Sequence, residues 1–225
     1  MSKASKPSFV FILADDLGYA DLGCYGSRSG SSPNLDRLAA EGVRFTDGYA
    51  NSPVCSPTRF ALATGRWQYR LRGGTDEPIA SSAFGSPVLG LPPEHPTLAS
   101  LLRGAGYATA LIGKWHLGFA PHFGPLKSGY DEFFGPMSGG VDYFTHCDSS
   151  GRHDLYDGER EVRATGYLTD LITERAVSFL RRARGKPFLL SLHYTAPHWP
   201  WETRADEAES RRIARINHVD GGSVA

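Results

Sequence analysis

Three short apolar runs constrain the fold of this chain more strongly than any other feature of its sequence. Each is rich in residues that favour β-strands, and together they cover residues 8–14, 107–112 and 186–193. Apolar runs of this length are typical of strands buried on both faces, as in a parallel sheet covered by helices. Segments with helical spacing of apolar residues lie between them, at 33–42, 96–103 and 168–182. The alternation predicts an α/β fold with a mixed, largely parallel central sheet flanked by helices.

The size and the charge of the chain exclude several classes of protein. Its 225 residues are enough for one sizeable core or at most two small domains. The 24 basic and 24 acidic residues give a formal charge of zero, so no overall field favours nucleic acid or an anionic membrane. No apolar run approaches the roughly 18 residues of a membrane span, and the run at 8–14 is too short for a secretory signal. We therefore expect a soluble, cytoplasmic protein that binds neither nucleic acid nor a membrane.

The chain has three cysteines, Cys24, Cys55 and Cys147. An odd number of cysteines with these spacings does not indicate a disulfide framework. We expect Cys24 and Cys147 to be reduced, mostly buried small residues. Cys55 differs from them because of the helix signals that follow it.

Cys55 is predicted to lie just before the first turn of a short helix. Ser56 can serve as the N-cap, Pro57 suits the first helical position, and Gly65 can end the helix. The unpaired backbone N–H groups and the dipole at a helix N-terminus favour negative charge, and Arg59 follows about one turn later. This position therefore suits a reacting oxyanion.

Polar residues follow each of the three predicted strands, at the edge where open α/β sheets bind their ligands. Asp15 and Asp16 follow the first strand, and their carboxylates indicate a metal site, although an isolated pair of aspartates can equally cap a turn. The other residues are Lys114 and His116 after the second strand, His193 at the end of the third strand, and His198 after it. If the chain is extended there, Lys114 and His116 lie on the same side.

Two long stretches show little periodicity, at 67–95 and 119–166. Loops of this length inside a compact domain are usually functional, and we expect them to form the walls of a pocket. The aromatic residues of 119–166 are interpreted as core and pocket lining, because no basic stripe accompanies them as in a nucleic-acid platform. Residues 202–216 are predicted to form a charged, solvated helix.

Four separated motifs resemble the formylglycine-dependent sulfatases, the type I sulfatases of the alkaline phosphatase superfamily. The Cys-Ser-Pro-Thr-Arg at 55–59, followed by Ala-Thr-Gly at 63–65, is similar to the family signature that marks a cysteine for oxidation. Residues 106–116 look like the second signature, and Asp15–Asp16 and Ala-Pro-His at 196–198 match further landmarks in the same order. Two departures are mild: Thr58 stands where serine is commoner, and Ala63 stands where a bulkier apolar residue is usual.

The resemblance implies an alkaline-phosphatase-like sulfatase fold and a bound calcium ion (Ca²⁺). Asp15, Asp16 and the modified Cys55 would hold part of the metal site. The family's later Asp-Asn pair and a further lysine have no counterpart in this chain, since Asp220 is followed by glycines. Residues 1–225 therefore resemble the N-terminal portion of a sulfatase catalytic domain, truncated before the second half of the metal site.

The resemblance also implies a mechanism for cleaving a small-molecule or carbohydrate sulfate ester, as in arylsulfatases. Cys55 would become formylglycine through the action of a formylglycine-generating enzyme, and its hydrated aldehyde would attack sulfur. Arg59 and Lys114 would place positive charge on the sulfate oxygens. His116 would act as general base at the second hydroxyl, and His198 would contact sulfate and help to protonate the leaving oxygen.

Three alternatives to a sulfatase remain open from the sequence. A phosphonate or phosphodiester hydrolase could use the same modified residue, because the electrostatic requirements nearly coincide. An unmodified Cys55 with His116 or His198 would indicate a thiol hydrolase, although Asp15–Asp16 and Lys114 would then have no role. The third is an inactive, truncated domain that cannot complete its metal site.

Overall fold

The computed structural model of the chain describes residues 6–71, 73–74 and 76–214. Its strands are β1 (Phe9–Leu13), β2 (Ala108–Gly113), β3 (Glu132–Gly135), β4 (Tyr156–Asp157), β5 (Arg160–Glu161) and β6 (Phe188–His193). Its α-helices are α1 (Pro33–Glu41), α2 (Cys55–Thr64), α3 (Leu98–Gly104), α4 (Leu168–Arg182) and α5 (Glu207–Ala214). In the described part of 67–95, the helical elements are the short 3₁₀ turns Gln68–Arg70 and Ser81–Ala83, as the lack of periodicity predicts.

The six strands form one mixed sheet in the order β1-β6-β2-β3-β4-β5. The first four strands in this order are parallel, whereas β4 and β5 are antiparallel to their neighbours. The predicted fold class is therefore confirmed. The expectation that 119–166 is irregular was wrong for β3, β4 and β5, because strands of four and two residues are too short to show a hydrophobic period.

Helices pack on both faces of the central strands. On β2, Leu111 joins one apolar cluster with Phe60 of α2 and Ala99 of α3. Ala110 and Ile112 of β2 join a second cluster on the other face, in which the α4 residues are Leu168, Ile172, Ala176 and Phe179. Burying such side chains contributes about 1.5–3 kcal/mol for each large one, so this packing fixes the sheet on which the site residues stand. The predicted burial on both faces is confirmed for β2 and β6.

The first strand does not share this burial. Val10 and Ile12 of β1 are 48% and 55% exposed. The expectation that β1 is buried on both faces was wrong, because among the described strands β1 pairs only with β6 and stands at the edge of the sheet.

The contacts divide the chain into two compact units. The first comprises Met1–Asp15 and Asn51–Ala225 and contains the sheet, and the second is Asp16–Ala50. Inside the second unit, the Asp36 carboxylate of α1 accepts hydrogen bonds from Cys24 N and Ser32 Oγ, at 2.7 and 3.0 Å. These bonds tie the turns of 19–26 to the helix.

The charged helix predicted at 202–216 is present as α5, with bounds Glu207–Ala214. Residues 215–225 lie outside the described residues, and so does the expectation for Asp220. In the described part of the chain, each helix is too short or too polar to cross a membrane.

Candidate active site

Cys55 is the first residue of α2, and Val54 is the N-cap. The expectation that Ser56 caps the helix was wrong, because Ser56 lies inside the first turn. Its buried hydroxyl instead accepts a hydrogen bond from Ile79 N at 3.1 Å, which fixes the 79–81 segment beside Cys55. Gly65 ends the helix with a left-handed φ of 64°, as predicted. The Cys55 side chain therefore stands where unpaired helix N–H groups favour an anion.

The ends of β2 and β6 approach each other closely beside this helix. Gly113 has a φ of 114°, and a Cβ atom at this position would lie 1.7 Å from the His193 carbonyl oxygen. Only glycine permits this approach, and it allows Lys114 N to donate to His193 O at 2.8 Å. The expected extended conformation ends before His116, whose φ is 59°. Both Lys114 and His116 are nevertheless buried in the site.

A buried cluster of one carboxylate and two cations lies at this edge of the sheet. Asp15 Oδ2 accepts a hydrogen bond from Lys114 Nζ, and Arg59 lies 3.5 Å from Asp15 Oδ1. Burial alone would raise the pKa of Asp15, but the charges of Lys114 and Arg59 outweigh it and lower that pKa. Burial, with a smaller contribution from Arg59, lowers the pKa of Lys114, and Asp15 and Cys55 partly oppose this shift. Asp15 is therefore held as a carboxylate between two cationic side chains.

His193 belongs to the same cluster, although its role could not be predicted from its position at the end of a strand. Its Nδ1 lies 3.1 Å from an Arg59 guanidinium nitrogen, which can only donate. His193 Nδ1 is therefore an acceptor, and the ring is neutral. Burial, reinforced by Arg59, lowers the pKa of His193 to about 3. His193 thus orients Arg59 through this hydrogen bond. Because its ring is neutral, it does not compete with Arg59 for binding to an anion.

This neutral histidine predicts a pH dependence of stability. In the unfolded chain His193 binds a proton below about pH 6.5, but in the folded protein only near pH 3. The contribution of neutral His193 to the free energy of unfolding is fully present above pH 6.5. It decreases as the pH drops from 6.5 towards 3, by about 2 kcal/mol at pH 5. We expect His193→Gln to remove this part of the loss, measured as urea unfolding free energies at pH 5 and 7.5.

The exposed His122 provides the matched control for this prediction. His122→Gln should keep the pH dependence of the unmutated protein, because this side chain is exposed to solvent and lies outside the buried cluster. Equal pH dependence in His193→Gln and the unmutated protein would contradict a buried, neutral His193.

His116 is held in one tautomer. Its Nε2 lies 2.9 Å from the Ile79 carbonyl oxygen, which can only accept, so Nε2 carries the proton. Its Nδ1 is buried, and no hydrogen-bond partner for it lies among the described residues. Burial, reinforced by the charge of Lys114, places the pKa of His116 well below 6.5. The ring is therefore a neutral imidazole whose Nδ1 lone pair can accept a proton.

Three of the predicted site residues share one cavity of about 270 Å³, lined by Cys55, His116 and His198 together with parts of 78–81 and 139–149. This confirms that 67–95 and 119–166 supply pocket walls. His198 Nδ1 lies 2.6 Å from the Trp199 carbonyl oxygen, which can only accept, so Nδ1 carries a proton. The cavity has a nucleophile position and two imidazoles, with the cationic cluster beside it.

The described residues of the first unit do not make a complete metal site. Asp15 offers the oxygen ligands that a hard cation prefers, but its carboxylate is paired with Lys114 and Arg59. Within the described ranges, no three His, Cys, Asp or Glu side chains are placed to hold a metal ion. Calcium takes about six to eight oxygen ligands. Asp16 begins the second unit, and the site described above is confined to the first.

Comparisons with known proteins give this site a context. The sequence model of the family described as "Sulfatase" matches residues 7–216. A curated relative, N-acetylgalactosamine-6-sulfatase of Sus scrofa, is 40% identical over 226 aligned residues, which cover 92% of this chain and 42% of the relative.

Two solved structures show the same fold. The structure of Ps i-CgsB in complex with k-i-k-neocarrahexaose has a TM-score of 0.78 and 33% identity, covering 96% of this chain and 53% of that one. The structure of BT4656 in complex with its substrate D-glucosamine-2-N,6-O-disulfate has a TM-score of 0.71 and 32% identity, covering 88% and 36%. The chain spans about 40% of the length of the N-acetylgalactosamine-6-sulfatase of Sus scrofa. Because the family model matches nearly the whole chain, the chain belongs to the sulfatase family.

Proposed function

We propose that the protein hydrolyses sulfate esters through a formylglycine made from Cys55. The observation that carries this proposal is the position of Cys55 at the N-terminus of α2, in one cavity with His116 and His198. A sulfate ester carries negative oxygens that repel nucleophiles, so its cleavage requires cations and a positioned nucleophile. Arg59 and Lys114 supply the cations beside the same helix end.

Formylglycine would supply a hydrated aldehyde, with one hydroxyl that attacks sulfur and a second through which the aldehyde re-forms and sulfate leaves. A formylglycine-generating enzyme would carry out the oxidation of Cys55. His116 fits the role of base at the second hydroxyl, because its Nδ1 is an acceptor. His198 would contact sulfate and help to protonate the leaving oxygen. A calcium ion would use Asp15 and Asp16 and needs further ligands from outside the described residues.

The substrate class that we propose is a sulfated carbohydrate. The support is the similarity to BT4656, whose structure contains a sulfated glucosamine as its substrate. A direct comparison would measure turnover of a sulfated sugar, an aryl sulfate and an aryl phosphodiester by the same preparation. Turnover of the phosphodiester in preference to both sulfates would overturn the proposal in favour of a phosphodiester hydrolase.

The modification of Cys55 is tested by mass spectrometry. Tryptic cleavage after Arg44 and Arg59 releases residues 45–59, which contain Cys55 as their only cysteine. In protein from its native host, we expect this peptide to have the mass of the formylglycine form. An unmodified thiol throughout would contradict the proposed mechanism.

A further inference from the structure

A pair of glycines lies against the two imidazoles of the cavity. We call residues 138–141 the diglycine loop, after Gly139 and Gly140. A Cβ atom at Gly139 would lie 2.4 Å from His116 Cε1, and a Cβ atom at Gly140 would lie 2.8 Å from His198 Cε1. A side chain at either position would therefore have to displace a ring. The backbone of the diglycine loop is the surface against which both rings rest.

The segment that leads into the diglycine loop is fixed on one side by the strand exit that carries His116. Trp115 N donates to Pro136 O at 3.0 Å, and His116 N donates to Met137 O at 3.0 Å. In these bonds the segment supplies the acceptor carbonyl groups. The N–H groups of Met137 and Ser138 donate to a different partner.

That partner is the carboxylate of Asp154. Its Oδ1 accepts a hydrogen bond from Met137 N at 3.0 Å, and its Oδ2 accepts one from Ser138 N at 2.8 Å. Asp154 is only 3% exposed. Burial raises its pKa to about 6, although the hydrogen bonds from Ser138 and Met137 oppose the shift. A buried carboxylate is costly, and here two backbone donors adjacent to the glycines compensate it.

We propose that Asp154 is a positioning residue, which holds the diglycine loop against His116 and His198 and thereby fixes the orientation of both rings. As an aid to catalysis this role rests on the proposed sulfate ester hydrolysis, but the contacts themselves do not depend on it. Without the carboxylate, Met137 N and Ser138 N lose their acceptors, and the segment keeps the backbone hydrogen bonds from Trp115 N and His116 N. The rings then gain room to rotate away from the nucleophile position at Cys55.

The test compares Asp154→Asn with Asp131→Asn. Asparagine keeps the shape of aspartate, but its carbonyl oxygen replaces only one of the two carboxylate oxygens, and its NH₂ group then faces the N–H group that the other oxygen accepted. Asp131 is the matched control, because its Oδ2 accepts bonds from Thr109 N and Thr109 Oγ1, both at 3.0 Å, at the opposite end of β2.

The first readout is the imidazole ¹⁵N and ¹H resonances of His116 and His198 in histidine-labelled protein. We expect the resonances of both rings to shift in Asp154→Asn and to remain unchanged in Asp131→Asn. This readout needs no turnover, so it remains decisive if the protein fails to cleave sulfate esters. Unchanged imidazole resonances in folded Asp154→Asn, or the same shifts in both variants, would overturn the proposal.

The second readout is sulfate ester hydrolysis. A ring misplaced by about 1 Å lowers kcat, and we expect a loss of about 10–100-fold with KM changed less than about threefold. An equal loss in Asp131→Asn would overturn the positioning role. If Asp154→Asn does not fold, Gly139→Ala tests the same contact from the loop side. It should displace the His116 resonances, and unchanged resonances would overturn the proposal.

Discussion

Replacing Cys55 with serine is expected to stop the turnover of sulfate esters, with a loss of about 10⁴-fold or more in kcat. A serine at this position keeps one hydroxyl at the N-terminus of α2, beside Arg59 and Lys114. That hydroxyl can attack sulfur, but its Cβ carries no second oxygen through which an aldehyde could re-form and release sulfate. We therefore expect peptide 45–59 of the Cys55→Ser variant to become sulfated, in an amount stoichiometric with the protein, and to stay sulfated.

The measurement is steady-state hydrolysis together with the mass of that peptide after incubation with substrate. Cys24→Ser is the control, since it removes a free thiol from the second unit and should leave turnover unchanged. Repeated turnover by Cys55→Ser at the rate of the unmutated protein would show that a single hydroxyl suffices. That result would sink the formylglycine mechanism.

The arrangement of strands and helices could largely be predicted from hydrophobic spacing. Helix α4 has the bounds that its periodicity indicates, and β2 and β6 are the buried strands that their apolar runs indicate. The edge position of β1 could not be predicted, because the same apolar run is compatible with a central strand and with an edge strand. Local sequence determines the type of element, whereas its neighbours in the sheet depend on contacts between distant segments.

The sequence predicts several residues that line the cavity, but it does not predict their contacts. The motifs name Cys55, His116 and His198, and the structure places all three around one cavity. The signal for His193 was only its place at the end of a strand, which does not reveal the bond to Arg59. Asp154 gave no signal at all, because its partners are backbone N–H groups, which the sequence does not encode as a motif.

The two signatures also did not reveal that their cations share a partner. Arg59 and Lys114 belong to different motifs, 55 residues apart, and both reach the carboxylate of Asp15. In the folded chain, the negative charge of Asp15 from one motif is therefore neutralised by the positive charges of Arg59 and Lys114 from two others. The pairing therefore has a structural consequence in addition to any contact with sulfate.

This consequence predicts a large loss of stability in Lys114→Met. Methionine fills most of the volume of lysine, but buried Asp15 then loses its closest cation and keeps the more distant Arg59, at 3.5 Å. Removing one partner of a buried ion pair leaves an uncompensated charge and costs about 3–5 kcal/mol. We expect this decrease in the free energy of unfolding at pH 7.5, measured by urea denaturation.

The control is a lysine in a solvent-exposed pair. Lys127 Nζ lies 3.1 Å from Glu159 Oε1, with side chains 34% and 56% exposed. Lys127→Met should change the unfolding free energy by less than about 1 kcal/mol, because water screens the pair. The double variant Lys114→Met/Asp15→Asn should regain part of the lost stability, since the unpaired charge is gone.

The pH dependence distinguishes a lost ion pair from a simple packing defect in Lys114→Met. The pKa of Asp15 is lowered in the folded protein, so its contribution is present above the unfolded value of 3.8 and is lost as the pH falls through the lower, folded value. The difference between Lys114→Met and the unmutated protein should therefore shrink below about pH 4. A packing defect would cost the same at every pH. A constant difference, or one no larger than that of Lys127→Met, would show that Asp15 does not depend on Lys114 for its charge.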